Sequence, residues 1–571
     1  MLSGRFRPLG GGEEVFSSLR VICCTSVDLK ELTEKKFFNE TLYDLLAEQT
    51  LEIPPLRRRK KDLSILVDYL VAHYSQELDK PVTSFDRKAY GEIMAYDWPG
   101  NMDELEVVVR RAVNLASFGK VALENLFIGV TPTIGKFSFN LLNLPKVKKL
   151  FISTWYPAAL QLLTGVFFLY IFYLGFWGTQ NPDKNVSLVL TWGIWEPMVV
   201  MSTIFAARIW CGICPIGAVS SLCSRNFSLK LSAPHFLRKY GYYIGGVGLG
   251  VIILSEVIFN MITSPRATAA LIVSIAIPAV VFGLLYKRRV WCRYLCPLGK
   301  MIGVFSSASV IELRANYGIC NNDCLTHSCY MGGKECQDGC PMFEGPFSLR
   351  SNLDCTLCAN CIKNCPNQSP QINLRLPGYE LWSSRRFEKT MAFLVPLIMG
   401  TQFFRGLENA GYLHHFLAIP ANNSYLQVIL LATITLLIFG VIKSVERFLL
   451  RGIPDKALDS TGMLSYGFLV MALAYEVAFH LERFLLMGGQ LVPVLGRQLG
   501  FNWEGYGASG APWAITTLQI MIIMAGGWGA SAVLKRIYRS CFEISPEKPP
   551  VSWRIPVMLT AICYIWFFIA G

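Results

Sequence analysis

Two regimes of polar and apolar positions follow one another along this chain. Up to about residue 130, charged side chains interrupt the apolar ones every few positions. A Ser-Leu-Arg-Val-Ile alternation near 18–22 predicts a strand, and apolar residues recur at helical spacing across 62–79 and 101–117. The basic run Arg57-Arg58-Arg59-Lys60-Lys61 predicts a solvated face. From about residue 155, charges thin out in long stretches near 155–177, 187–207, 242–262, 268–286, 389–405, 424–443, 463–485, 512–534 and 554–571. A helix needs about 17–25 apolar residues to cross a bilayer. The fold class expected is therefore mainly α: a polytopic membrane protein of about nine transmembrane helices behind a small soluble domain.

The charges between these stretches fall on alternate connections. One set carries Lys146, Lys148, Lys149, then Arg208, Arg225, Lys230, Arg238, Lys239, then Lys287, Arg288, Arg289, then Lys443, Arg447, Arg451, then Lys535, Arg536, Arg539. The other offers little beyond Lys184, Arg266, Arg405 and Arg497. Lys and Arg collect on the cytoplasmic side of membrane proteins, so the N-terminus and the polar insert at 310–388 are expected inside a bacterial inner membrane. Four segments result: a soluble domain over 1–130, a membrane domain over 131–309, the insert over 310–388 and a helix bundle over 389–571. The net charge of +13 has the same origin, and no direct nucleic-acid binding is expected.

Cysteine usage adds chemistry to this picture. Eighteen cysteines in a chain that opens with no signal-peptide pattern point away from a disulfide framework. Residues 354–366 read DCTLCANCIKNCP. Cys-x-x-Cys-x-x-Cys wraps three corners of a four-iron cube, and a fourth Cys followed by Pro departs to ligate a neighbouring cube. Cys355, Cys358 and Cys361 are thus three corners of one site, and Cys365 serves another. Paired zinc knuckles are the rival, and four Cys ending in Cys-Pro match them poorly. A second set holds Cys320, Cys324, Cys329, Cys336 and Cys340, with Pro341 after the last. Cys340-Pro341 mirrors Cys365-Pro366 and is expected to complete the 355–361 site. Four candidates then remain for three corners, and spacing alone favours Cys336, because Cys336-x-x-x-Cys340 copies Cys361-x-x-x-Cys365.

Two further motifs lie at the ends of the second and fourth stretches: Trp210-Cys211-Gly-Ile-Cys214-Pro215-Ile-Gly217 and Trp291-Cys292-Arg-Tyr-Leu-Cys296-Pro297-Leu-Gly299. Pooled, Cys211, Cys214, Cys292 and Cys296 supply four sulfurs, enough for an additional cluster or another metal; otherwise they are reduced thiols packed under the insert. Cys223 is nearby and unassigned.

Residues from about 150 to 382 resemble the membrane-bound polyferredoxins related to the nitrous-oxide-reductase regulator and the quinol-oxidising subunit of periplasmic nitrate reductase. The two Trp-Cys…Cys-Pro motifs carry the resemblance, with CNNDCLTHSCYMGGKECQDGCPMFEGP, DCTLCANCIKNCPNQS and INLRLPGYELW. The family pattern favours Cys320, Cys324, Cys329 and Cys340 and makes Cys336 the spare. Here Cys211 and Cys214 are separated by two residues where the family usually has three. The resemblance implies two 4Fe-4S clusters and electron transfer between membrane quinone chemistry, or a membrane redox subunit, and a partner redox protein.

Residues 4–117 are similar to the C-terminal half of the AAA+ domain of sigma-54-dependent activators, on GRFRPLGG, SLRVICCTSVDL, IPPLRRRKKDL and DWPGNMDELEVVVRRAVNLA. No phosphate-binding Gly-x-x-x-x-Gly-Lys loop stands upstream. Asn39, Leu45 and Asp103 occupy positions where the family has arginine, so no ATP hydrolysis is expected. This remnant is expected to be a docking or sensing module, or a relic retained because it folds. Cys23 and Cys24 are expected on a buried strand.

In the last five stretches His480, within Glu476…His480…Glu482-Arg483, is a candidate site because ionisable groups inside a membrane mark function, as are Glu408, His414 and His415 on an outer loop. Pairing of His480 with His414 or His415 would suit a haem. A histidine paired with a neighbouring Glu, or lining a quinone pocket, is the simpler expectation. Trp503, Tyr506 and Trp513 read as an interfacial aromatic belt. Two rivals to the electron carrier stand: a membrane-tethered redox-sensing regulator, and a cluster-bearing transporter, which no clustering of intramembrane charge supports.

Overall fold

The computed structural model describes the chain except at residues 1–4, 7–12, 17–21, 26, 48–49, 117–118, 129–138, 323, 325, 334–337, 384–386, 412–423, 450–461, 509, 542–553 and 571. It divides into two compact units, Met1–Leu126 and Phe127–Gly571.

In the first unit, apolar residues at helical spacing build a small helical core. Helix α1 (Lys60–Glu77) buries Leu63, Val67, Leu70, Val71 and Tyr74 on one face. Helices α2 (Arg87–Ala95) and α3 (Asn101–Leu115) add Ile93, Leu105, Val108 and Val109. Strand β1 (Val82–Phe85) pairs in parallel with β2 (Gly119–Val121). The Trp-Pro-Gly-Asn block is structural: Trp98 is fully buried with its indole N–H donating to Ile93 O at 3.0 Å, and Asn101 Oδ1 accepts from Leu56 N at 3.0 Å. The strand expected at 18–22 falls on residues 17–21, outside the described residues; Ile22 is exposed. Cys23 and Cys24 are exposed on irregular backbone, which corrects the expected buried strand. A strand is buried by its neighbours in a sheet, and the described residues of this unit place none beside this segment.

The second unit begins with β3 (Phe139–Asn140), then α4 (Ala158–Trp177) and α5 (Val186–Ala206). It continues through α6 (Pro215–Asn226), α7 (His235–Ile258), α8 (Pro265–Leu285) and α9 (Pro297–Ser306). Next come β4 (Ile311–Ala315), β5 (Pro370–Leu374), α10 (Lys389–Asn409), α11 (Ser424–Phe448), α12 (Met463–Leu499), α13 (Pro512–Arg539) and α14 (Ile555–Ala570). Eight of these helices are long and apolar enough to cross a membrane, by length and composition. The ninth expected span is α14, apolar but only 16 residues long. Helix α12 is central: 83% of its apolar window is buried inside the protein, against 17% for α4 and α11.

The insert is tied to the helices by a three-stranded antiparallel sheet in the order β3-β5-β4. At its base lies a buried ion-pair network. Arg375 donates to Glu312 at 2.8 Å and to Glu380 at 2.9 Å, and Arg314 reaches Glu380 at 3.2 Å. Burial pushes the Glu380 carboxyl up, and Arg375 and Arg314 override it to hold the group below its ordinary value. Asn352 Nδ2 donates to Ile311 O at 2.7 Å and Ser309 Oγ at 2.9 Å. The INLRLPGYELW segment thus contributes Arg375 and Glu380 to a structural staple.

Candidate metal centres and the cavity beside them

Each Trp-Cys motif begins where a long helix stops. Ala207, with φ of 48°, ends α5, and Cys211 lies in the short helix Ile209–Ile213. Cys214 caps α6, with Pro215 first in the helix. In the second motif a wide π turn, Trp291–Leu295, carries Cys292, and Cys296 caps α9 ahead of Pro297. Proline suits this position because its missing N–H would be unpaired there in any case. The glycine two residues on then aims its backbone N–H at the sulfur: Gly299 N donates to Cys296 Sγ at 3.4 Å. Burial pushes the Cys214 thiol up to about 12, partly offset by the corresponding N–H of Gly217.

The four thiols face one another. Burial raises Cys296, and Cys292, Cys211 and Cys214 raise it further. The arginine two residues before each tryptophan crosses to the other motif. The Arg208 guanidinium lies 3.2 and 3.3 Å from where Cβ atoms on Gly299 and Gly303 would stand, and Arg289 lies 3.2 Å from that of Gly217. Arg289 also donates to Cys211 O at 3.4 Å, and Arg208 donates to Leu353 O. Both are nearly fully buried, at 3% and 5% exposure. Buried cations need opposing charge, and the four sulfurs, as thiolates, are positioned to supply it.

The insert sorts its cysteines into two adjoining groups. Cys340, Cys355, Cys358 and Cys361 line one small cavity. Burial raises the Cys340 thiol to about 12 and the Cys355 thiol to about 11. Burial likewise raises Cys329, with Cys320, Cys324 and Cys365 as the next contributors. Cys361 is raised by burial, by its own group and by Cys329 across the boundary. The Cys-Pro crossing between groups is therefore the arrangement the motif order implies. Cys336 lies outside the described residues. Arg288 holds the crossing loop, donating to Cys340 O at 3.1 Å and Tyr330 O at 2.7 Å. Among the described residues, no three or more His, Cys, Asp or Glu side chains close on a single metal ion.

The first motif touches the insert directly. A Cβ on Gly212 would lie 2.5 Å from Thr356 O and 3.7 Å from Cys358 Cα, so only glycine fits between the two cysteine groups. Tyr156 donates to Leu357 O at 2.6 Å. Gln161 and Thr164 of α4 donate to Gly212 O at 2.8 Å and Ile213 O at 2.7 Å, pairing carbonyls that the short helix leaves open.

On the other side, Cys211, Cys214, Cys292 and Cys296 line one wall of a cavity of about 150 Å³ running between the long helices. Its far end holds Glu196, Glu256, Arg405, Glu476 and His480. Arg405 donates to Glu256 at 2.7 Å, and Arg483 bridges Glu256 at 2.6 Å and Glu196 at 3.1 Å. This cluster corrects the expectation of no clustered intramembrane charge. Glu196 and Glu256 were missed in the sequence because each is a single charge inside a long apolar run, which was itself the signal. His480 pairs with Glu196 and Glu476, while His414 and His415 lie outside the described residues.

Comparison with known proteins divides along the same lines. Residues 188–234 and 268–310 match a 4Fe-4S binding domain family, so the matched segments are those bearing the two Trp-Cys motifs. Residues 57–131 match an AAA+ ATPase lid domain. The N-terminal region is 37% identical over 121 residues to the nitrogen fixation protein AnfA of Azotobacter vinelandii, 21% of this chain and 23% of that protein. It is 34% identical over 116 residues to the alginate biosynthesis transcriptional regulatory protein AlgB of Pseudomonas putida, 20% of this chain and 26% of that protein. Over 126 residues it is 29% identical to the Psp operon transcriptional activator of Escherichia coli, 22% of this chain and 39% of that protein. The chain therefore spans well under half the length of these relatives. An AAA+ lid and a 4Fe-4S binding domain thus stand in one chain.

Proposed function

We propose that this protein is a membrane-anchored iron–sulfur electron carrier, with three four-thiol sites in series from the cavity to the cytoplasmic face. Cys211, Cys214, Cys292 and Cys296 would hold one cluster. Cys340, Cys355, Cys358 and Cys361 would hold a second, and Cys320, Cys324, Cys329 and Cys365 a third. Bound there, 4Fe-4S clusters supply one-electron redox chemistry. The chain's own residues supply the rest: thiolates, N–H donors from Gly217 and Gly299, and the buried cations Arg208 and Arg289, which favour the more negative state of whatever the thiolates hold. Burial and mutual repulsion raise these thiols above their ordinary value, so loading requires a cation that keeps them ionised. The observation carrying the reading is the backbone contact at Gly212, which abuts the first site to the second without an intervening side chain. Electrons would pass between the quinone pool, or a membrane redox subunit, and a redox partner at the cytoplasmic face.

The test is iron per chain in anaerobically purified variants. Cys358→Ser and Cys211→Ser are each expected to lose about four iron atoms, one cube, with the remaining EPR signals retained. Unchanged iron in both would refute the assignment. A second reading, a redox-sensing regulator, is favoured by the AAA+ lid match and the regulatory relatives. Deleting residues 1–126 separates the two: a carrier keeps its iron and its electron transfer, whereas a regulator loses a transcriptional response.

A further inference from the structure

Six ionisable side chains meet where α5, α7, α10 and α12 pack together, and their charges do not balance. Glu196 comes from α5, Glu256 from α7, Arg405 from α10, and Glu476, His480 and Arg483 from α12. Arg405 lies 2.7 Å from Glu256 and 3.7 Å from Glu476, and Arg483 lies 2.6 Å from Glu256 and 3.1 Å from Glu196. Glu256, Arg405, Glu476 and His480 are buried, and Glu196 and Arg483 are partly so. Three carboxylates thus face two guanidiniums, which never lose their protons in a protein. With a neutral imidazole the cluster keeps one uncompensated negative charge among long apolar helices. A buried charge without a partner is costly. One proton closes the sum.

His480 is placed to hold that proton. Its Nδ1 lies 2.7 Å from Glu476 O, which only accepts, so Nδ1 carries a hydrogen whether the ring is neutral or charged. The additional proton then belongs on Nε2, 3.5 Å from Glu196 Oε1, while Glu476 Oε2 stands 3.4 Å from Nδ1. An imidazolium here has a carboxylate on either side. The carboxylates compete less well for the proton: two arginines donate to Glu256, Arg483 donates to Glu196, and Gln402 donates to Glu476 Oε1 at 3.1 Å. Other titratable groups on the packed elements stand apart from this chain of pairs. Glu482 accepts from Gln519 of α13 at 2.8 Å, and Glu408 lies in the last turn of α10. Tyr475 of α12 and Tyr564 of α14 are buried phenols, uncharged near neutral pH, and Tyr564 donates to Gln402 Oε1 at 2.6 Å.

This cluster and the thiols of Cys211, Cys214, Cys292 and Cys296 line one cavity, with Val199, Val200, Leu249 and Ile253 on the wall as well. Charges facing each other across buried apolar packing are weakly screened. An electron at the four-thiol site adds a negative charge, which a proton on His480 offsets, and by linkage each favours the other equally. We infer that His480 is a proton-binding site whose occupancy is linked to the electron at the Cys211, Cys214, Cys292 and Cys296 site. One electron from a one-electron donor stays at the thiols and one proton from water bonds to His480 Nε2; no other bond forms or breaks. The link rests on the carrier reading above, whereas the proton site rests on the charge count alone. Apart from Glu196, its residues lie outside the segments matched to the 4Fe-4S binding domain.

The experiment uses full-length protein in nanodiscs, labelled with nitrogen-15 histidine and kept free of oxygen. Solid-state NMR of wild type minus His480→Gln isolates this ring from the other histidines. An imidazolium is expected at pH 7. Glu196→Gln makes carboxylates and guanidiniums equal in number, so it should leave Nε2 without its proton. This second variant decides the matter if His480→Gln does not fold. On the same samples, EPR redox titration follows the signal that Cys211→Ser removes. Its midpoint potential should fall by about 59 mV or more between pH 6 and pH 9, a tenfold mutual preference at one electron. The fall should vanish in His480→Gln and in Glu196→Gln. A neutral ring in wild type, or an imidazolium that survives Glu196→Gln, would overturn the proton site. Equal wild-type midpoints at pH 6 and pH 9, or an undiminished fall in both variants, would overturn the link. An imidazolium in protein without iron would sink the carrier reading and the link while leaving the proton site, and iron-loaded protein with a neutral ring would sink this site alone.

Discussion

Arg208 and Arg289 show what a single residue adds to these sites. In the sequence they are two of many cations that mark one side of a membrane; in the fold each leaves its own motif and lies against the other, among four sulfurs. A buried positive charge stabilises the added electron. Arg208→Met or Arg289→Met is therefore expected to lower the midpoint potential of the neighbouring centre by about 60 mV or more, one decade in the one-electron equilibrium. Arg208→Lys, which keeps the charge, should recover part of it. EPR redox titration checks this, and an unmoved potential in both Met variants would mean the arginines only pack. The cysteine motifs are visible in the sequence because their spacing is local, whereas the arginine exchange is not, because its partners lie about 70 to 95 residues away on the other repeat. Spacing favours Cys336, which lies outside the described residues, while the fold sets Cys329 near Cys320, Cys324 and Cys365.

At the level of elements, the start of α10 and the β4–β5 sheet carry separate predictions. Glu388 precedes α10, and burial, reinforced by Asp354 and Glu380, pushes its carboxyl up to about 7. A folded-state value above the unfolded one means the native protein holds this proton more tightly. The group then costs nothing below about pH 4.5, and stability is lost as pH rises through 7, by about 3 kcal/mol when the shift is converted. Glu388→Gln should raise Tm at pH 8 and leave it little changed at pH 5; equal stabilisation at both values would exclude a protonation origin. Arg375→Met breaks the network of Glu312, Arg314 and Glu380 and leaves uncompensated buried carboxylates, a loss of about 3–5 kcal/mol. Thermal unfolding and iron content should fall together in that variant, since the staple orients the insert; a wild-type Tm would show the network to be dispensable.

Helix positions were largely readable, because long apolar runs admit few alternatives. Their failures have physical causes. Among the described residues the last run forms a helix of 16 residues, and no strand pairs with the segment around Cys23. Single charges within the second and third long helices read as blemishes in apolar runs, yet Glu196 and Glu256 meet Arg405 and Arg483 once the helices pack.

For the molecule as a whole, the cavity, the two Trp-Cys motifs and the insert are successive layers joined through Gly212 and Arg208. The N-terminal unit has its own core around Leu63, Ile93, Trp98 and Leu105, so its removal should leave the iron of the remainder intact. The claim on which everything else depends is that twelve cysteines cage iron and sulfide at three sites. Iron and sulfide analysis of oxygen-free protein, with EPR redox titration of the same sample, tests it most directly. About twelve iron atoms per chain, in three separately titrating signals, is the result this account predicts; colourless protein, or zinc in place of iron, would contradict it.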